Sequence, residues 1–122
     1  MLFRSEKSIV GKWKEKRSYN LANQPKWIDV DHGDDFFEFT SGGEWGLLFW
    51  KEYNFPATYT VDNSVDPHRI NLTIKKDKTQ LVWIYKFEGE KLIIKLSFDP
   101  KDGIPKDFEP EPKFGISEFV RK

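Results

Sequence analysis

Apolar and polar residues alternate with a period of two along most of the chain. In residues 69–75, Ile70, Leu72 and Ile74 fall on one face, and Arg69, Asn71, Thr73 and Lys75 fall on the other. That alternation marks a β-strand with one buried and one wet face. Residues 91–99 repeat it, setting Leu92, Ile94, Leu96 and Phe98 against Ile93, Lys95, Ser97 and Asp99. Trp45, Leu47 and Phe49 share a face, as do Ala57, Tyr59 and Val61, Phe37 and Phe39, and Ile9, Gly11 and Trp13. Residues 81–87 are apolar on both faces at first, and 115–121 form a last, weaker run. These runs predict eight strands, at about 9–19, 35–41, 44–50, 57–62, 69–76, 80–88, 91–98 and 115–121. No window holds a helical period over ten residues, and residues 2–8 predict one short amphipathic turn or helix.

The breaks between runs read as hairpins. Ser41-Gly42-Gly43 and Glu88-Gly89-Glu90 offer residues that accept positive φ, Lys76-Asp77-Lys78 is a short polar turn, and Asp62 to Pro67 is a longer loop. Many short strands joined this way predict a closed or sandwiched antiparallel sheet. Two segments break the rhythm. Residues 20–35 are polar and contain Pro25, and residues 99–113 carry four of the seven prolines, which predicts a long extended connection.

Composition sharpens this picture. The 122 residues predict one domain, 1–122. Five Trp, four Tyr and eleven Phe make 16% of the chain aromatic, while alanine occurs only at Ala22 and Ala57. Rings suit a pleated, half-buried surface, and helical domains use alanine freely. Twenty basic residues balance twenty acidic ones. That balance argues against a nucleic-acid coat. With no cysteine there is no disulfide framework or thiol chemistry. No run approaches the length of a membrane-spanning helix. The opening MLFRSEKSIVGKW places charges where a signal peptide needs apolar residues, so the expected location is the cytoplasm.

Gly11-Lys12-Trp13 stands on the first predicted strand and Arg121 ends the last. This arrangement resembles the lipocalin-type barrel pattern, which implies that Trp13 closes one end of a barrel and Arg121 packs across its ring. A guanidinium over an indole gains about 0.5–2 kcal/mol, and a glycine lets neighbours approach the ring. A second stretch extends the likeness. Asp66-Pro67-His68-Arg69-Ile70-Asn71-Leu72-Thr73, then Ile84-Tyr85-Lys86-Phe87-Glu88-Gly89-Glu90-Lys91-Leu92, and finally Ile104-Pro105-Lys106-Asp107-Phe108 resemble the bacterial lipocalin-like domains best known from planctomycetes. Asn71 stands where that pattern has Asp, Trp83 where it has Gly, and its Arg-Pro element lacks the Arg here. The resemblance implies an all-β, eight-stranded antiparallel up-and-down barrel of lipocalin-like type.

An eight-stranded barrel encloses room for packed side chains or for one small ligand. Trp45, Phe49, Tyr59, Trp83 and Tyr85 are the candidate ligand-binding residues, and Gly11, Trp13 and Arg121 the candidate closure residues. The competing reading has those rings fill the barrel. Asp29, Asp31 and Glu38 are hard oxygen donors, but the loop lacks the glycine and closing glutamate of a calcium-binding hand, so it reads as solvated. His32 and His68 read as exposed loop side chains, and no motif places a nucleophile beside a base. Trp27, Trp50, Tyr53 and Phe55, with Lys51 and Glu52, offer a protein-binding patch. Rings with lysines also stack single strands of nucleic acid, which the zero net charge disfavours. The expectation is a non-enzymatic binder of a small, mostly apolar ligand, with a protein-interaction module as the alternative. No cofactor, no metal, no nucleic acid and no membrane partner is expected.

Overall fold

A computed structural model describes residues 8–20 and 26–122, the side chain of Asn20 excepted. The strands are β1 (Gly11–Asn20), β2 (Lys26–Asp29), β3 (Phe36–Phe39), β4 (Glu44–Phe49), β5 (Glu52–Asp62), β6 (His68–Ile74), β7 (Gln80–Glu88), β8 (Lys91–Ser97) and β9 (Phe114–Arg121). One turn of 3-10 helix spans Pro100–Asp102, capped by the Asp99 side chain. No α-helix occurs among the described residues. Of the N-terminal turn or helix expected at residues 2–8, residues 2–7 lie outside them.

From β3 onward each strand pairs antiparallel with the next, and β9 returns to pair with β1. The result is a closed eight-stranded antiparallel barrel with one extra strand. The extra strand is β2. One edge of β1 is shared, Gly11–Trp13 bonding to β3 and Arg17–Asn20 to β2. The polar segment read as a loop therefore contains a strand. Trp27 holds it in place, edge-on to Tyr19 at 5.7 Å and under the Arg17 guanidinium at 4.8 Å.

Strand β5 begins at Glu52, five residues earlier than the alternation predicts, because Pro56 hides its first half. Between the pairs Trp45↔Ala57 and Leu47↔Asn54 the register shifts, so Phe55 and Pro56 face Gly46 alone. A bulge tolerates the missing proline N–H. A Cβ on Gly46 would stand 2.6 Å from Asn54 O and from the Phe55 ring, so only glycine admits this approach.

The inward residues of β6, β7 and β8 are Ile70 and Leu72, Trp83 and Tyr85, and Leu92, Ile94 and Leu96. They pack with Trp13, Phe39, Trp45, Ala57, Tyr59 and Phe119 into one core. Directly paired residues of antiparallel strands face the same side. Leu92↔Phe119 and Ile94↔Ser117 therefore turn Phe119 and Ser117 inward, and Glu15↔Phe119 turns Glu15 inward too.

The β1–β9 seam carries contacts on both faces. At the start of β1, Trp13 pairs with Arg121, whose guanidinium carbon lies 4.2 Å from the indole centroid. Arg121 also donates to Val10 O at 2.7 Å and Ser8 O at 2.8 Å. Gly11 has φ +133°, and a Cβ there would stand 2.5 Å from the Arg121 guanidinium. On the outer face Arg17 forks onto Glu118 at 2.7 and 3.0 Å. That double hydrogen bond holds the buried Glu118 carboxyl below the ordinary carboxylate range, against the opposing effect of burial.

Trp13→Ala removes a side chain that is 1% exposed and costs about 3–5 kcal/mol in urea unfolding. Arg121→Ala costs about 1 kcal/mol, and a Trp13→Ala loss near zero contradicts the closure. Glu118 has a depressed folded pKa, so its stabilisation is present above the ordinary carboxylate range and lost as pH falls through the lower folded value. Unfolding free energies measured from neutral to acid pH fall more steeply for the native protein than for Glu118→Gln, and parallel curves contradict this origin of the acid loss.

Candidate functional site

The two ends of the barrel differ. The start of β1, the finish of β9 and the β5–β6 loop form the base, with a cleft of about 450 Å³ beside that loop bounded by Pro67, His68, Tyr85, Phe87 and Phe108. There Trp13 Nε1 donates to Ile9 O at 2.7 Å, Tyr59 OH to Thr40 O at 2.6 Å, and Tyr85 OH to Asn63 Oδ1 at 2.8 Å. Burial also pushes the Tyr59 hydroxyl above its ordinary pKa. Trp83 Nε1 donates to Ser97 O at 2.9 Å. Of the sequence-predicted ligand residues, Trp45, Tyr59, Trp83 and Tyr85 share the buried core, and Phe49 stands apart at the end of β4, 51% exposed. Tyr59, Trp83 and Tyr85 give their polar tips to the protein itself. The Trp45 indole N–H is buried with no acceptor among the described residues, the kind of donor that a water or a ligand oxygen satisfies.

The other end opens around Glu15. Its cause is local: Gly11, Trp13 and Glu15 continue one inward alternation, and the register then shifts at Lys16. A carboxylate is thereby set in the barrel wall. One Glu15 oxygen accepts from Ser117 Oγ, and the other lies 2.7 Å from His32 Nε2, brought in by the β2–β3 loop. Beside this group is a cleft of about 190 Å³, lined by Trp13, Glu15, His32, Asp35, Phe36, Phe37, Leu47, Phe49 and Phe119. A wider cleft of about 460 Å³ shares Glu15 and Ser117, and its outer wall is Phe98 with Pro110–Phe114. Sequence reasoning missed Glu15, Ser117 and His32 as a group. The available signal was a glutamate two residues beyond Trp13, on the face that the strand turns inward.

The proline-rich segment 99–113 is a strap held by Lys95. This lysine sits on the outer face of β8, a position that the alternation predicts to be wet, yet its side chain is 0% exposed. Its ammonium donates to Asp107 O at 3.0 Å, Glu109 O at 2.6 Å and Glu111 Oε2 at 2.6 Å. The strap explains why Ile93, Lys95 and Ser97 are buried as fully as the inward side of β8.

The Asp-rich loop holds itself together, with Asp31 Oδ1 accepting from Gly33 N at 2.9 Å. His68 is exposed at the start of β6, its ring 5.6 Å from that of Tyr85. No group of three or more His, Cys, Asp or Glu side chains is placed to hold a metal ion among the described residues. The β4–β5 hairpin turns on Trp50 and Lys51, both at positive φ (54° and 67°), and lifts Trp50 to 78% exposure. Among the described residues no helix is long and apolar enough to cross a membrane. No family model matches the chain, and no curated protein or solved structure matches it.

Lys95→Met leaves two carbonyls and a carboxylate without their shared donor. An expected loss of about 1–3 kcal/mol in urea unfolding, with faster protease cleavage within residues 99–113, checks the strap. Unchanged cleavage contradicts the role of Lys95.

Proposed function

We propose that the protein is a non-enzymatic, lipocalin-like binder of one small, mostly apolar ligand, held in the open end of the barrel. The observation that carries this reading is the 190 Å³ cleft, whose apolar wall of Phe36, Phe37, Leu47, Phe49 and Phe119 converges on Glu15 and His32. Binding sites of this kind are concave and largely apolar, with a few polar groups to fix orientation. Trp45, Tyr59, Trp83 and Tyr85 belong to the packed core, so the ligand sits beside Phe49 rather than among them.

A second reading has one observation in its favour. Phe49, Trp50 and Tyr53 are exposed together on the β4–β5 hairpin, where Trp50 lies against Phe49 at 5.9 Å. Exposed aromatic anchors suit a protein partner.

Fluorescence titration with 2-naphthol, a neutral bicyclic ring with one hydroxyl, separates the two. The cleft reading expects saturable one-site binding to the native chain that is lost in Leu47→Arg and weakened at least about tenfold in Phe49→Arg. No saturable binding to the native chain, with a partner captured through Trp50, favours the interaction module instead.

A further inference from the structure

We infer that the cleft beside Glu15 selects an organic cation, a protonated or quaternary amine on a compact apolar body. The inference rests on the proposed binding function and names its ligand class. Two carboxylates, Glu15 and Asp35, line the cleft, and no lysine or arginine does. Phe37, Phe49 and Phe119 supply ring surface between them. Aromatic faces attract cations through the ring quadrupole, more strongly once water is excluded. A carboxylate in an apolar wall also calls for a positive partner, because an unpaired buried charge is costly. The Glu15 side chain is 22% exposed.

Its present partners leave that demand open to a ligand. Ser117 is neutral and 6% exposed, a fixed hydroxyl that orients one oxygen. His32 lies on a loop with its side chain 45% exposed, so a ligand ammonium can take its place on the other oxygen. Nearby basic groups already have partners, on the Trp13 and Phe36 rings at the edge of the cleft. Arg121 stacks on Trp13 and donates to Val10 and Ser8, while Lys12 and Lys122 stand over Phe36 at 5.3 and 5.2 Å. None of the three lines the cleft. An anionic ligand would meet Glu15 and Asp35 with His32, already on Glu15, as the one basic side chain in the wall. The 190 Å³ volume equals about six waters at ~30 Å³ each, which suits a small amine.

Choline and 3,3-dimethylbutan-1-ol share one shape and differ in a charged nitrogen against a neutral carbon. Calorimetric titration of the full chain is expected to show choline binding at least about tenfold tighter. Glu15→Gln is expected to bring the pair within about threefold while keeping cooperative thermal unfolding. Asp35→Asn, at the half-exposed rim, gives a second test should Glu15→Gln fail to fold, and is expected to weaken choline about threefold with the neutral alcohol unchanged. Equal affinity for the two probes, or a preference that survives both variants, overturns the cation assignment. Binding of 2-naphthol without binding of choline overturns it too and leaves the cleft reading standing. Failure of all three probes removes the binding reading itself.

Discussion

The hydrogen bonding of β1 to β9 is the constraint on which the rest of the structure depends. It joins the two ends of the sheet, so the eight-strand circuit has no free edge to template aggregation. The same register decides which side chains meet. It places Arg121 opposite Trp13 and Glu15 opposite Phe119, one pair sealing the base and the other opening toward the mouth. The shift at Lys16 then reverses the alternation, so that Arg17 faces outward onto Glu118 and Ser18 lies opposite Ser117. A single extra residue thus separates an ion pair on the outside from a carboxylate on the inside.

Aromatic rings set the division between base and mouth. Phe37 touches Trp45 at 5.1 Å and Phe119 at 4.9 Å, and Trp45 meets Trp83 edge-on at 5.6 Å. Large rings in tilted and edge-on contact fill a barrel interior with few voids. Space remains where this network ends, beside the β2–β3 loop. The strap acts on the opposite side of the wall. By burying both faces of β8 it makes that strand part of the interior, and Lys95 supplies the donors that the strap's inward carbonyls require.

Much of this was legible in the chain, for physical reasons. Where one face is wet, alternation is clean, and residues 69–74 sit within a strand whose inward residues match it. The ends of strands were less visible. Pro56 masks the first half of β5 because a bulge, which alternation does not reveal, absorbs it. Trp27-Ile28 is too short an apolar pair to stand out among aspartates, and only its pairing to β1 makes β2 a strand. Lys95 was misleading because a residue on the polar side of a strand is wet only if nothing later in the chain covers it. The mouth was hidden for a related reason: His32, Glu15 and Ser117 are apart in sequence and meet only through the β2–β3 loop and the closing seam.

Amide hydrogen exchange across the seam tests the central claim most directly. Closure of the barrel by β1 and β9 predicts that the paired amides of Trp13–Glu15 and Phe119–Arg121 exchange with free energies close to those of the β6–β7 amides, near global unfolding. Seam amides that exchange orders of magnitude faster than those of β6 and β7 would show an open sheet and contradict the account.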